Sequence, residues 1–254
     1  RPYRPAIGLV GMGGIGSGTT PLDPASSGRS PHDTYGAEGT GKGRATYAMS
    51  NKTAHLALYD GAAEMEVGHL LAELHTGRFT GTRFDVVTVA ESREPITTMG
   101  GVRIVPDAQL ANLTPAQSEL LILPGSEMWD TGGGEAFTAA AGRFLEAGVP
   151  VAAICGGTAG LARAGLLDQR NHTSAAPEYL AATGYAGGDR YRNERAVIDG
   201  DLITAGPQSP VQFARATLQR LGLASERTLD LYEALFDRGD LTAFPQLMQT
   251  EGAA

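Results

Sequence analysis

The chain has 254 residues, with 20 lysine and arginine side chains against 28 aspartate and glutamate side chains and a formal net charge of −8. That length is enough for one α/β domain with a sizeable core. The acidic balance argues against a nucleic-acid-binding surface, and no apolar stretch reaches the roughly 18 residues of a spanning helix, so we expect neither nucleic acid nor membrane as a partner. The single cysteine, Cys155, excludes an internal disulfide or a cysteine zinc site and favours a cytoplasmic protein.

Residues 1–48 differ in composition from the rest of the chain. They hold 11 of the 35 glycines, carry a net charge of +2 and have no periodic apolar pattern. Such a segment buries too little apolar surface to offset its ordering entropy. We therefore predict a flexible leader over residues 1–48, a natural start at Met49 and a single domain over residues 49–254. Residues 11–16 and 36–43 resemble nucleotide-binding loops but lack the helix or strand that such loops require, so no cofactor is expected.

From residue 53 onward, short apolar strands alternate with helical periodicity. Strands are predicted at residues 55–59, 84–90, 102–105, 120–123, 151–154, 196–198 and 202–205. Helices are predicted around residues 67–77, 137–148, 159–164, 177–182, 211–221 and 228–236. This alternation predicts an α/β fold, a doubly wound and mostly parallel sheet with helices on both faces. Ligands of such sheets bind outside the carboxyl ends of the strands.

Cys155 is the most informative residue at those strand ends. It follows four apolar residues and precedes two glycines and a predicted helix. The pattern is that of a nucleophile elbow, in which a tight turn raises the reactive side chain above the sheet. A helix N-terminus would lower the pKa of the thiol and favour the nucleophilic thiolate. A buried cysteine that serves only as a small apolar side chain fits the same pattern equally well.

Four motifs in this order resemble the DJ-1/PfpI superfamily, which has the class I glutamine-amidotransferase-like fold. The motifs lie at residues 61–66 (Gly-Ala-Ala-Glu-Met-Glu), 123–125 (Leu-Pro-Gly), 152–158 (Ala-Ala-Ile-Cys-Gly-Gly-Thr) and 165–174. The resemblance extends from about His55 to about Leu221. It implies a flavodoxin-like sandwich, usually a homodimer, with a reactive cysteine beside a glutamate.

The resemblance also implies roles for individual residues. By motif position the glutamate is Glu66, kept protonated by burial so that it donates to the Cys155 thiolate and lowers the thiol pKa. Helical periodicity alone does not separate Glu66 from Glu64. Gly125 and Gly156 would supply backbone N–H groups to an oxyanion, although each glycine is equally consistent with turn geometry alone.

The sequence departs from the family pattern where a histidine is usual. Gly156 stands where peptidase-like members carry histidine, and Ala175 stands where other members place a triad histidine. No His-Pro-Glu motif of a true glutamine amidotransferase follows Cys155. His172 is an auxiliary candidate, but a loop histidine bonded to the backbone is the simpler interpretation. No metal site is expected from the histidine spacing.

Without a paired histidine, we expect chemistry on a small electrophilic carbonyl substrate. This chemistry would be of the glyoxalase or deglycase kind, as a hydrolase or lyase. The alternative is a non-catalytic redox or stress-sensing protein whose single cysteine oxidises. A weaker third interpretation is a binding or chaperone-like dimer.

Overall fold

Nine strands and seven α-helices lie within residues 52–250, the part of the chain that the computed structural model describes. The strands are β1 (Thr53–Ala57), β2 (Asp85–Ala90), β3 (Ile96–Thr97), β4 (Arg103–Ile104), β5 (Ala108–Gln109), β6 (Leu120–Leu123), β7 (Val151–Ile154), β8 (Ala196–Asp199) and β9 (Leu202–Ala205). The helices are α1 (Glu64–Thr76), α2 (Glu135–Glu146), α3 (Gly156–Arg163), α4 (Pro177–Ala181), α5 (Pro210–Arg220), α6 (Glu226–Phe236) and α7 (Ala243–Leu247). None of these helices is both long and apolar enough to cross a membrane. The predicted leader over residues 1–48 lies outside the described residues.

Seven of the strands form one sheet in the order β5-β2-β1-β6-β7-β9-β8. All neighbouring pairs are parallel except β8 and β9, which pair antiparallel at one edge. Strands β3 and β4 form a separate antiparallel pair. The predicted flavodoxin-like, doubly wound and mostly parallel sheet is confirmed.

The winding of the chain explains how both faces of the sheet are covered. The crossover through α1 leads from β1 to β2, whereas the crossover through α2 leads from β6 to β7 in the opposite direction across the sheet. Right-handed crossovers in opposite directions place their helices on opposite faces. The direction changes between the neighbouring strands β1 and β6, and ligands of open α/β sheets bind at the carboxyl ends of such a pair.

The central strands are buried on both faces. Every residue of β6, β7 and β9 is buried, which accounts for uninterrupted apolar runs such as Leu-Leu-Ile-Leu in β6. Helix α1 buries Val67, Leu70 and Leu74, which recur with helical spacing. It ends at the predicted Gly77 cap, whose φ of 58° is left-handed. Burial of each such side chain contributes roughly 1.5–3 kcal/mol to folding.

Three local features differ from the sequence-based prediction. Helix α3 begins at Gly156 instead of residue 159, because packing overrides the low helix propensity of two glycines. The strand predicted at residues 102–105 is the two-residue β4, which pairs with β3 outside the main sheet. The elements β3, β5 and α7 are too short to produce a periodic signal, and they were not predicted.

Candidate active site

Cys155 lies in the sharp turn between β7 and α3. Its backbone angles are φ 55° and ψ −125°, and it is the one non-glycine residue with positive φ among residues 52–250. Its N–H donates to Ala205 O at 3.0 Å, and the Thr158 hydroxyl donates to its carbonyl oxygen at 2.6 Å. Such a conformation costs on the order of 1–3 kcal/mol and persists only where the surroundings hold it. The turn has the geometry of the predicted elbow, and the cysteine is partly exposed.

Glu66 projects from the first turn of α1 into the same region. The residue is buried, and its Oε2 accepts the Gly125 N–H at 2.7 Å. Glu64 instead turns outward, where its Oε2 accepts the Gly100 N–H at 3.2 Å. The structure therefore separates two glutamates that the helical periodicity left equivalent, and it brings Glu66 rather than Glu64 to the cysteine.

The thiol and the carboxyl group share surroundings that disfavour charge on either. Burial raises the pKa of Glu66, although hydrogen bonds from Cys155 and from the Gly125 N–H oppose the shift. Burial, the Glu66 charge and the hydrogen bond to Glu66 together raise the pKa of the Cys155 thiol to about 12, while the Gly156 N–H lowers it only in part. The expectation of a lowered thiol pKa is therefore wrong. The Glu66 carboxylate accepts the thiol proton and so holds the thiol in its neutral form.

The two glycines predicted to form an oxyanion hole have different positions. The Gly125 N–H is engaged by Glu66 Oε2, so the predicted role of this N–H as an oxyanion donor is corrected. What Gly125 provides is space, because a Cβ there would lie 2.7 Å from Glu66 Oε2 and 3.0 Å from Cys155 Sγ. The Gly156 N–H, at the start of α3, faces the sulfur and lowers the pKa of the thiol. Gly156 is thus the predicted oxyanion donor that remains.

The hydrogen bonds of His172 are to groups other than Cys155. It is fully buried, its Nδ1 lies 2.8 Å from Arg170 O, and its Nε2 lies 3.0 Å from the Tyr185 hydroxyl. Burial also lowers the pKa of the imidazole. Both ring nitrogens are engaged, which agrees with the simpler interpretation of His172 as a backbone-bonded loop histidine.

Trp129 supports the site and was not predicted. The indole is fully buried, and its Nε1 donates to Pro124 O at 3.1 Å and contacts the Tyr59 hydroxyl at 3.2 Å. Tyr59 donates to the same carbonyl oxygen. These bonds fix the turn that carries Gly125. The only available sequence signal was the position of the one tryptophan shortly after the glycine turn.

A second pair of polar side chains near the elbow was also missed. The Tyr179 hydroxyl, on α4, donates to Asp130 Oδ1 at 2.6 Å. Negative charge on Asp130 is among the causes that raise the pKa of Cys155, after burial and Glu66. No short motif joins these residues, because 49 positions separate them along the chain.

Two helical glycines should respond oppositely to alanine. A Cβ at Gly160 would overlap the buried Trp129 ring, whereas a Cβ at Gly68 would meet no atom within 4 Å. We expect Gly160→Ala to destabilise the protein by about 1–3 kcal/mol through overpacking. Gly68→Ala should stabilise it by about 0.5–1 kcal/mol through helix propensity. Urea unfolding midpoints measure both, and equal shifts would contradict the packing described for Trp129.

Together these features define a class of protein, an α/β sandwich with a cysteine elbow and a buried carboxyl group at the carboxyl edge of its sheet. Within residues 52–250, no group of three or more His, Cys, Asp or Glu side chains is arranged to hold a metal ion. The model of the DJ-1/PfpI family matches residues 52–220. The chain belongs to the DJ-1/PfpI family.

Individual relatives agree with this assignment. The chain is 34% identical over 207 residues to "Uncharacterized protease YoaZ" of Bacillus subtilis, covering 80% of this chain and 99% of that protein. A thiJ/pfpI family protein from Bacillus anthracis has a TM-score of 0.74 at 36% identity, covering 78% of this chain and 96% of that one. The DJ-1 superfamily protein Atu0886 from Agrobacterium tumefaciens has a TM-score of 0.64 at 29% identity, covering 72% of this chain and 98% of that one.

Proposed function

We propose that this protein is a cysteine-dependent enzyme that acts on a small electrophilic carbonyl compound, as a glyoxalase- or deglycase-like hydrolase or lyase. The observation that carries the proposal is the pairing of the partly exposed Cys155 with the buried Glu66 at the elbow. A carboxylate that already accepts the thiol proton can act as its general base. Its raised pKa brings it nearer to neutral pH, where a base is most effective.

The first chemical step follows from this pairing. As Cys155 Sγ forms a bond to the carbonyl carbon, the thiol proton passes to Glu66 and the π electrons move to the carbonyl oxygen. The Gly156 N–H at the start of α3 donates to that oxyanion, with the positive end of the helix dipole behind it. Protonated Glu66 then returns its proton to the adduct. No histidine is required, because an α-oxoaldehyde carbon is already electrophilic.

Peptide cleavage requires a second proton donor, which this site supplies less readily. Two relatives are named uncharacterised proteases, YoaZ and YdeA of Bacillus subtilis. An amide has a poor amine leaving group, which needs a second, separately placed acid. Both ring nitrogens of His172 are engaged by Arg170 O and the Tyr185 hydroxyl, and Gly156 replaces the histidine that follows the cysteine in peptidase-like members. We therefore favour carbonyl addition over peptide hydrolysis.

The redox-sensor alternative has less physical support. Oxidation by peroxide requires the thiolate, and a thiol with its pKa raised to about 12 is almost entirely protonated at neutral pH. Transfer of the proton to Glu66 during attack on a carbonyl avoids this limitation.

The proposal predicts weak turnover of methylglyoxal at neutral pH, with no hydrolysis of glutamine or peptides. His172→Ala should retain kcat/KM within about threefold of wild type, because both ring nitrogens of the imidazole are already engaged in hydrogen bonds. The variant should nevertheless lose about 1–3 kcal/mol of stability, because the buried imidazole and its two partly buried hydrogen bonds are removed. Lactate formation assayed well below the melting temperature separates the two effects.

Two results would overturn this assignment. Loss of turnover in folded His172→Ala would restore a general base and hydrolase chemistry of the triad type. If no carbonyl compound is turned over while peroxide adds two oxygens to Cys155, the sensor interpretation replaces the enzyme.

We include a homodimer in the proposal, as the family resemblance implies. The exposed apolar side chains of Met65, Met99 and Val102 favour such an interface. The Met99 N–H donates to Ala62 O at 2.9 Å, which holds the β3–β4 hairpin against the start of α1. Light scattering measures the mass directly. The cytoplasmic location stays a prediction.

A further inference from the structure

The segment of residues 174–179, which runs into α4, lies against the elbow region at two points. At its start, Ser174 Oγ is 2.6 Å from Thr158 Oγ1, and the Thr158 hydroxyl donates to Cys155 O. At its end, the Tyr179 hydroxyl donates to Asp130 Oδ1. Ser174 and Thr158 are buried, so the first contact is rigid. The segment therefore passes beside the first turn of α3, and Ala175, where related proteins place a histidine, lies within it.

The position of Asp130 is set by its neighbour Trp129. It follows Trp129, whose buried ring packs against Gly156 and Gly160 of α3. The hydrogen bond from Tyr179 therefore spans two segments that both contact the helix behind the thiol. Tyr179 is only half-buried and its hydrogen bond to Asp130 is exposed, so its hydroxyl group remains accessible to a small molecule.

The direction of this hydrogen bond defines what Tyr179 offers to a ligand. A carboxylate only accepts hydrogen bonds, so the phenolic proton is committed to Asp130. The remaining lone pair of the hydroxyl oxygen can accept one bond. Electrostatics agrees with proximity to the thiol: burial and the Asp130 contact raise the pKa of Tyr179, and Cys155 adds to the shift.

We propose that Tyr179 is a substrate-positioning residue that accepts a hydrogen bond from a hydroxyl group next to the reacting carbonyl. The inference rests on the proposed function, and it narrows the substrate class. The preferred compounds are α-hydroxyaldehydes and the hydrated forms of α-oxoaldehydes, in which a hydroxyl group lies one carbon from the site of attack. Asp130 acts through Tyr179 by fixing the direction of the phenolic proton.

A pair of aldehydes that differ by one hydroxyl group tests the inference. Glycolaldehyde and acetaldehyde each add reversibly to Cys155, with the thiol hydrogen ending on the carbonyl oxygen. Protection of Cys155 from iodoacetamide gives an apparent Kd for each adduct. The preference for glycolaldehyde should be about five- to tenfold larger in wild type than in Tyr179→Phe, the expected worth of one neutral hydrogen bond.

Two further variants complete the test. Tyr232→Phe, a matched change on α6 whose hydroxyl contacts His69, should keep the wild-type preference. Asp130→Ala, at an exposed position, should also lower the preference for glycolaldehyde over acetaldehyde, and this ratio cancels any change that the variant causes in the Cys155 thiol itself. An equal preference for glycolaldehyde in wild type and Tyr179→Phe would overturn the role of Tyr179 but leave the proposed function in place. Failure of both aldehydes to protect wild-type Cys155 would overturn the proposed function and this inference with it.

Discussion

Replacement of Cys155 by alanine or by glycine should abolish carbonyl turnover, by at least about a thousandfold, because each variant lacks the nucleophile. The two variants should differ in stability. Alanine retains a Cβ at φ 55°, whereas glycine adopts this conformation without strain. We expect Cys155→Gly to be more stable than Cys155→Ala by about 1 kcal/mol, the strain relief less the entropy cost of glycine.

Thermal unfolding measures this difference directly. For a domain of this size, about 1 kcal/mol corresponds to a shift of roughly 2–4 °C in Tm. The comparison isolates the backbone because neither variant carries the thiol. A glycine variant that melts below the alanine variant would show that the turn at Cys155 carries no strain, and residual turnover in either variant would exclude Cys155 as the nucleophile.

Glu66→Gln should slow turnover by about a hundredfold or more while making the thiol more reactive toward alkylation. Turnover falls because the amide cannot accept the thiol proton. Alkylation at neutral pH accelerates because the variant removes the carboxylate charge, which after burial is the largest cause that raises the pKa of Cys155. With a lower pKa, a larger fraction of the thiol is ionised at any pH below the wild-type value of about 12. Activity and thiol reactivity thus move in opposite directions.

Iodoacetamide rates across a pH series measure the thiol pKa in each variant. Glu66→Leu should shift it in the same direction, while Glu64→Gln, on the surface turn near Gly100, should change neither turnover nor alkylation. If Glu66→Gln instead alkylates more slowly than wild type, the carboxyl group is a protonated donor that stabilises the thiolate, as the family resemblance first implied.

Turnover and thiol reactivity are expected to change in opposite directions in Glu66→Gln because Glu66 is treated as an ionised acceptor. A contact that no sequence motif encodes favours this state. The Gly125 N–H donates to Glu66 Oε2, which favours the ionised carboxylate and removes the N–H from any oxyanion hole. Gly125 and Glu66 are 59 positions apart, and their contact depends on how the chain crosses between β1 and β6. The motif positions predicted both residues as members of the site, and the structure places them in contact. The motif positions did not determine which atom of each was already engaged.

The longer strands and helices and the family could be predicted from the amino-acid sequence, because both depend on short-range patterns. Apolar runs such as residues 151–154 and the Val67, Leu70 and Leu74 periodicity mark buried strands and helix faces within a few residues. Only the tertiary structure shows the direction of the thiol pKa, the engagement of the Gly125 N–H by Glu66 and the pairing of Tyr179 with Asp130. Each of these depends on burial and on the distance between atoms far apart in the chain, and a pKa is set by that local desolvation and charge rather than by neighbours in sequence.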